Sequence, residues 1–319
     1  MSSLGAGFRS LGRNWGLVAL VLAANAAFAL VVAVPLAIQL EGDLAGRGAS
    51  STMMYGFDYD WWAEWSEGQV GPPSGLTPGL LGAGFVFRDV DLLLRGALPM
   101  GVLRPGRLGV DPTVLALGAL YLLLQVFLAG GILGVFRGPR GGWTVRGLVH
   151  GAGFYFGRLL RVSLLALAAA GVLFAANVLV GRRVDDLARE AVSGRTAVVL
   201  VLGRNALLLL GLLLVHMASS YAKVLVVCEE RLSAGLAFLS SLGFCARNLA
   251  AAAGQYACVL AAGAAAVALF GAVDAALPVV GWRTQIVALA LFEAFVGARI
   301  ALRLGLLASQ VELHAARGR

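Results

Sequence analysis

The chain has 319 residues, of which 60% are apolar and 13% are charged, and its mean hydropathy is +0.86. A soluble globule of this size cannot keep so much hydrocarbon away from water, so the composition indicates a protein whose solvent is the lipid bilayer. The formal net charge is +8, but the basic residues are scattered between apolar runs and form no patch interleaved with aromatic residues. This pattern argues against nucleic acid as a partner.

Six apolar runs are each long enough to cross a bilayer. A spanning helix needs about 20 residues, at a rise of 1.5 Å each, to cross about 30 Å of hydrocarbon. The runs therefore predict an all-α polytopic membrane helix bundle that forms a single transmembrane domain over residues 1–319. The predicted spans lie near residues 15–39, 113–136, 159–181, 198–220, 249–273 and 284–307.

The first apolar run shares features with a secretory signal peptide. Arg9 and Arg13 precede it, and Ala27-Phe28-Ala29 resembles a cleavage site. The run nevertheless continues to residue 40, well beyond the short apolar region of a signal peptide. We therefore predict a first helix that is retained as a membrane span.

The orientation follows from basic residues, because short connections rich in Arg and Lys stay on the cytoplasmic side. The N-terminal segment, the second and fourth connections and the C-terminal tail are basic and share one side, which predicts that both termini are cytoplasmic. The third connection conflicts with this prediction. It should lie on the extracytoplasmic side, yet residues 182–195 carry four arginines and only three acids.

A long extracytoplasmic loop is predicted between the first two spans, at residues 41–112. It carries nine acids against five arginines and has room for a small subdomain with short helices. Thr77-Pro78 is a helix-start signal, and the apolar residues over 79–94 predict a helix that lies against the membrane surface or the bundle.

Carboxylates and aromatic rings alternate in one part of this loop. Together they could hold a cation, a quaternary ammonium group or a sugar. Alternatively, the tryptophans anchor the loop at the membrane interface while the acids face water. The sequence leaves both interpretations open. The ligand-binding candidates are Asp58, Asp60, Trp61, Trp62, Glu64 and Trp65.

Two cytoplasmic connections carry amphipathic segments. Residues 145–156 mix glycines with aromatic residues, and Ser233 can cap a helix whose apolar residues lie between 236 and 244. Both segments predict elbow helices at the membrane interface, with docking of a protein partner as the alternative function.

Five short motifs follow one another in an order that resembles a group of bacterial six-helix membrane proteins of unassigned function. These proteins are similar to the membrane domain attached to some glycerophosphodiester phosphodiesterases. The resemblance implies the fold and a location in the bacterial cytoplasmic (inner) membrane, but no reaction, because the phosphodiesterase domain with its acidic and histidine metal cluster has no counterpart here. The motifs are FLAGGI at 127–132, FYF at 154–156, RLLR at 158–161, YAKV at 221–224 and EERLSA at 229–234.

The search for catalytic motifs finds none. His150, His216 and His314 have no metal-binding spacing, and neither a nucleophile elbow nor a phosphate-binding loop is present. The three cysteines form no CxxC pair. The glycines of 151–157 have the wrong spacing for a dinucleotide loop and predict helix packing or a tight turn. We therefore predict no catalytic residue, no metal and no cofactor.

Charged residues inside the spans are costly and are often functional. Arg204 and Glu293 lie at similar predicted depths in the fourth and sixth spans, which predicts a buried ion pair that either couples transport or locks two helices. If the fourth span begins a few residues later, Arg204 is only interfacial. Arg299 and Arg303 lie near the inner end of the sixth span, where lipid phosphates or helix carbonyls are the expected partners.

Two classes of function remain. The favoured class is a non-catalytic protein that binds, moves or senses a small molecule or a lipid, or that serves as the membrane subunit of an assembly. Its expected partners are membrane lipids, a small-molecule or lipid ligand, and a membrane or cytoplasmic protein. The alternative is a membrane-embedded enzyme that acts on a lipid or isoprenoid substrate through the outer loop, with Asp89 and Asp91 joining the carboxylates at 58–64.

Overall fold

The structure of the protein is a computed structural model that describes six stretches of the chain. All regular secondary structure in these stretches is α-helical. Asp58, Asp89, Asp91 and the helix expected at 79–94 lie outside the described residues. The described stretches are residues 2–45, 59–67, 112–138, 143–190, 193–277 and 281–317.

Among the described helices, α2, α4, α5, α6, α8 and α9 are long and apolar enough to cross a membrane. The prediction of an all-α polytopic bundle with six spans is therefore confirmed. In chain order the helices are α1 (Ser2–Arg13), α2 (Gly16–Leu44), α3 (Tyr59–Glu67), α4 (Pro112–Arg137), α5 (Val145–Glu190), α6 (Gly194–Cys228), α7 (Ala234–Arg247), α8 (Leu249–Ala276) and α9 (Trp282–Arg317).

The elbow expected at 145–156 is wrong, because these residues form the first part of the continuous helix α5. One of their glycines, Gly151, packs against α4 instead. A Cβ placed on Gly131 of α4 would lie 2.5 Å from the backbone oxygen of Leu148, and Gly151 faces the same part of α4. Small residues at such a contact let two helix backbones approach closely. This finding confirms the packing interpretation for Gly151, whereas nothing lies within 4 Å of a Cβ placed on Gly153 or Gly157.

The second elbow is confirmed as helix α7. The Ser233 hydroxyl accepts a hydrogen bond from the Leu236 amide at 3.4 Å, as expected for an N-cap. Leu232, Leu236 and Leu239 are exposed along this segment. The helix connects two spans, so these side chains face the interfacial region of the bilayer.

Both termini lie at the same end of the bundle. Helix α1 packs against the second half of α9, where a side chain on Gly305 would overlap the ring of Phe8. The Ser309 hydroxyl donates to the carbonyl of Leu4 at 3.3 Å, and Gln255 Nε2 of α8 donates to Ser3 Oγ at 3.1 Å. An even number of membrane crossings is consistent with this arrangement.

The buried core is concentrated toward this end. One cluster includes Leu133, Leu159 and Val226, and neighbouring clusters contain Leu17 of α2 and Tyr221 of α6. The opposite halves of the spans expose many large apolar side chains. The bundle is therefore tightly packed at the end that carries the termini and presents apolar surface to lipid elsewhere.

Charged residues mark two levels along α5 and α6. Residues 162–181, between Arg161 and Arg182, contain no charged side chain, and these 20 residues span about 30 Å, the thickness of the hydrocarbon. The antiparallel helix α6 is free of Asp, Glu, Lys and Arg over 205–222, between Arg204 and Lys223. Gly181 contacts Arg204, so this register brings Arg161 level with Lys223.

Candidate functional site: a cationic cavity between four helices

Helices α4, α5, α6 and α9 line an open cavity of about 300 Å³. This volume is at the lower end of the range for small-molecule sites, about 300–1,000 Å³. Its described lining residues are Leu122, Gln125, Val126, Ser163, Ala166, Leu167, Ala170, Leu212, Val215, His216, Ser219, Lys223 and Arg303.

Helical periodicity places these side chains on common faces. On α6, positions 212, 215, 216, 219 and 223 follow the spacing of a single helix stripe, as do positions 163, 166, 167 and 170 on α5. The two stripes face each other because α5 and α6 pack along most of their length. A cavity lined by both stripes follows from this register.

Two cations line the cavity without a counter-ion. Lys223 is half-buried and makes no hydrogen bond or ion pair within the described part of the chain. Arg303 donates to Gln125 Oε1 at 3.0 Å and makes no ion pair among the described residues. No described lining residue is an acid. An unneutralised pair of cations at this depth raises the affinity of the cavity for an anion.

Ser163 supplies a further unused polar group. The residue lines the cavity and is only 8% exposed, and its Oγ is buried without a hydrogen-bond partner. Buried polar atoms are nearly always hydrogen-bonded, so this hydroxyl beside the cavity is available to a further partner. Ser219, by contrast, is satisfied, because its Oγ donates to the carbonyl of His216 at 3.0 Å.

The cavity extends from the charge boundary into the hydrocarbon. Lys223 lies at the level where charged residues begin, on the side of the termini. Leu212 lies 11 positions earlier on α6, about 16 Å farther into the hydrocarbon. The hydrogen bond between Ser220 and Gln310 aligns α6 with α9, and Arg303 lies seven positions before Gln310, so the backbone of Arg303 is near the level of Leu212. The cavity therefore presents cations and apolar side chains along its depth, a mixture that suits an amphiphile.

A relay of amides orients Arg303. Gln125 Nε2 donates to Asn25 Oδ1 of α2 at 2.8 Å, which turns the Gln125 oxygen toward Arg303. The same three residues line a second cavity of about 30 Å³, which has room for about one water molecule. Helix α2 therefore contributes to the site through Gln125 without reaching the main cavity.

Hydrogen bonds and an ion pair of Arg137 connect the ends of several helices on the side of the termini. Arg137 Nη1 at the end of α4 donates to Tyr155 Oη and to the Val227 carbonyl, both at 2.9 Å, and to Glu230 Oε1 at 2.8 Å. Glu230 has a φ of 56°, a left-handed conformation that non-glycine residues rarely adopt. Arg137 thus ties α4, α5 and the loop after α6 together beside the packed core.

The outer aromatic cluster forms one short helix, α3. Its three indole rings contact one another, with Trp61 stacked on Trp65 at 5.7 Å and Trp62 at 5.1 Å from Trp65. Trp65 Nε1 donates to Asp43 of α2 at 2.8 Å, and Asp60 and Glu64 are exposed. The structure brings these residues together, and both the anchoring and the ligand-binding interpretation stay predictions.

The expected Arg204–Glu293 ion pair is not formed. The Arg204 guanidinium lies against Gly181 of α5, at the edge of the charge-free stretch, so Arg204 is near the interface and faces α5 instead of α9. Glu293 is half-buried in α9 without an ion-pair partner among the described residues. Arg299 is exposed, and its guanidinium lies 5.8 Å from the ring centre of Phe295.

The sequence reasoning missed Lys223 as a site residue, because it was used only as a basic marker of orientation. Arg303 was singled out near the inner end of the sixth span, with lipid phosphates or helix carbonyls as expected partners, but not as part of a cavity. One sequence signal was present. Lys223 is the single lysine of the chain, whereas the other 24 of its 25 basic residues are arginines. Lysine is a compact point charge with three rotatable donors, which arginine does not replace.

The chain matches no protein-family model, and no curated protein or solved structure is similar to it.

Proposed function

We propose that this protein binds an anionic amphiphile in the cavity between α4, α5, α6 and α9. The head of the ligand lies between Lys223 and Arg303, and its chain follows the leucines toward the centre of the bilayer. The carrying observation is that both cations line one cavity in which no described residue is an acid. A bound anion would neutralise them and would provide a partner for the Ser163 hydroxyl.

The proposed ligand has the orientation of a lipid in the leaflet on the side of the termini. Basic residues favour the cytoplasmic side, and the segment that precedes α2 carries Arg9 and Arg13 and no acid, which supports cytoplasmic termini. On this basis we propose that the ligand is drawn from the inner leaflet of a bacterial cytoplasmic membrane. Binding is the shared first step of transport, sensing and assembly, and the proposal extends to no later step.

The enzyme alternative stays a prediction. It requires convergent acids, bases or a metal in the outer loop, and three of its carboxylates, Asp58, Asp89 and Asp91, lie outside the described residues. The resemblance to the membrane domain of phosphodiesterases likewise remains a prediction about the fold. We therefore retain binding as the proposed function.

A single-chain anionic detergent tests the proposal. The protein, stripped of lipid in dodecyl maltoside, is heated with and without dodecyl phosphate, and unfolding is followed by intrinsic fluorescence. Because a ligand that binds only the folded state raises its stability, we expect a rise in Tm of several degrees that saturates with ligand. The rise should disappear in Lys223→Gln and Arg303→Gln.

The matched control is Arg299→Gln. Arg299 lies one turn from Arg303 on the same helix and is exposed outside the cavity, so this variant should keep the full response. Equal responses in all four proteins would mean that dodecyl phosphate acts through the general surface, and the proposal would then be wrong.

A further inference from the structure

We infer that the headgroup held by Lys223, Arg303 and Ser163 is a terminal phosphate monoester, an inference that rests on the proposed function. Capped headgroups, in which the phosphate carries glycerol, ethanolamine or choline, are expected to bind less tightly. The donors, acceptors and rings that line the cavity decide between these headgroups.

The free groups of the cavity are chiefly hydrogen-bond donors. A lysine ammonium offers three donors, and an arginine guanidinium offers five, of which Arg303 gives one to Gln125. The unpaired Ser163 hydroxyl adds one more. A terminal phosphate presents three strong acceptor oxygens, whereas a phosphodiester gives up one of them to its second ester bond. The monoester therefore uses more of the available donors.

The charges favour the same headgroup. A phosphate monoester carries about −1.5 to −2 at pH 7, which matches the two cations that have no other counter-ion. A phosphodiester carries a single negative charge and would leave one cation uncompensated. An uncompensated cation that is partly buried, as Lys223 is, retains part of its desolvation cost.

The cavity lacks the groups that would recognise an amine cap. An ethanolamine ammonium needs a carboxylate partner, and a choline group needs a cage of aromatic rings. The described lining contains neither Asp nor Glu, and no Phe, Tyr or Trp. A zwitterionic headgroup would add its positive charge to those of Lys223 and Arg303.

The cations alone would also suit inorganic phosphate, which shares this chemistry. The leucines distinguish the two sources, because Leu122, Leu167 and Leu212 line the cavity within the hydrocarbon. These side chains offer an alkyl chain an apolar environment like that of the bilayer, which inorganic phosphate cannot use. We therefore assign the phosphate to a lipid.

A matched headgroup series tests the inference on the unaltered protein. Delipidated protein in a neutral detergent is titrated with four dioleoyl lipids, phosphatidic acid, phosphatidylglycerol, phosphatidylethanolamine and phosphatidylcholine, and binding is measured by native mass spectrometry. Inorganic phosphate is tested in parallel by its effect on Tm. We expect phosphatidic acid to bind about tenfold more tightly than phosphatidylglycerol, and the two zwitterionic lipids to bind least. In Lys223→Gln the advantage of phosphatidic acid should fall toward parity.

The outcomes separate this inference from the proposed function. Equal or tighter binding of phosphatidylglycerol, still lost in Lys223→Gln and Arg303→Gln, would overturn the monoester while leaving the cavity as an anionic-lipid site. Equal binding of all four lipids, unchanged in these variants, would overturn both. Stabilisation by inorganic phosphate as strong as that by phosphatidic acid would overturn the lipid source.

Discussion

Lys223 is the residue whose removal should most clearly separate stability from binding. A half-buried cation without a counter-ion carries a desolvation cost in the ligand-free protein. Lys223→Met removes the charge and keeps a flexible apolar chain of similar length. We expect the variant, free of lipid, to unfold at a Tm roughly 2–4 °C above that of the parent, which corresponds to about 1 kcal/mol.

Thermal unfolding in dodecyl maltoside measures this difference. The control is Arg161→Met, since Arg161 lies at the same level on α5, is exposed and does not line the cavity. A Lys223→Met variant less stable than the parent would indicate that Lys223 has a structural partner in the membrane, which would contradict its assignment to a ligand.

Replacement of Arg137 should lower the stability of the lipid-free protein, in contrast to replacement of Lys223. Arg137→Gln removes the donors to Tyr155, Val227 and Glu230 and leaves the Glu230 carboxylate without its cation. The Arg137 side chain is 37% exposed, so water compensates part of this loss, and we expect the free energy of unfolding to fall by about 1–2 kcal/mol. The difference in Tm between the lipid-free variant and the lipid-free parent measures this fall. An unchanged Tm would show that these contacts are not needed to hold the helix ends together.

Of the charged residues that the sequence marked inside apolar runs, only Arg303 lines the cavity. The others are Arg204, Glu293 and Arg299, and depth along a single helix does not reveal which neighbour a side chain faces. Arg204 faces α5, and the predicted ion pair was therefore wrong. Arg303 gains its role from Gln125, which is 178 positions away in sequence, a relation that no local pattern contains.

The pair of helices α4 and α5 depends on glycine at the point of closest approach. Gly131→Ala would place its Cβ against the backbone oxygen of Leu148, which cannot move without displacing α5. We expect a lower Tm and a lower yield of folded protein for this variant. Gly118→Ala on the same helix is the control, because nothing lies within 4 Å of its Cβ and alanine favours a helix by about 1 kcal/mol.

Fluorescence-detected size exclusion after a series of heating steps compares the two variants. Equal losses in Gly131→Ala and Gly118→Ala would indicate that the effect comes from helix propensity or lipid contact, and the close approach of α4 and α5 would then be in doubt.

Element boundaries show what hydropathy can predict. The expected span at 113–136 nearly coincides with α4, whereas the span at 159–181 covers less than the full helix α5. An apolar run measures the part of a helix that lies in hydrocarbon. The charged segment at 182–190 and the glycine-rich segment at 145–157 continue the helix because packing and helix propensity, which hydropathy does not measure, act there.

The whole molecule has both termini at one end, which gives a prediction about accessibility. Gly12→Cys in α1 and Arg317→Cys in α9 should react with a membrane-impermeant maleimide from the same side, and Leu187→Cys near the end of α5 from the other. The natural residues Cys228 and Cys258 are first changed to Ser. Cys245 can remain, because burial raises the pKa of its thiol to about 11 and keeps it protonated and unreactive near pH 7.

Labelling of intact cells and of inside-out vesicles decides the orientation. We expect Gly12→Cys and Arg317→Cys to react only in the vesicles and Leu187→Cys only in the cells. Reaction of the two termini from opposite sides would be incompatible with the packing of α1 on α9. Reaction of both termini only in cells would reverse the proposed orientation and leave the fold unchanged.

At this scale the sequence was sufficient for the class of fold, since six apolar runs leave few alternatives in a bilayer. It was insufficient for the cavity, because lining residues from α4, α5, α6 and α9 meet only once the helix register is known. The lipid-facing and cavity-facing sides of a span are both apolar. The hydrophobic periodicity of the sequence therefore does not reveal which face lines a cavity.

The most direct test of the central claim is the lipid that remains bound to protein purified from its membrane. Native mass spectrometry should detect one anionic lipid on each chain of the parent protein and of Arg299→Gln, and none on the double variant Lys223→Gln, Arg303→Gln. Retention of the same lipid by the double variant, at the same occupancy, would contradict the assignment of the cavity as its binding site.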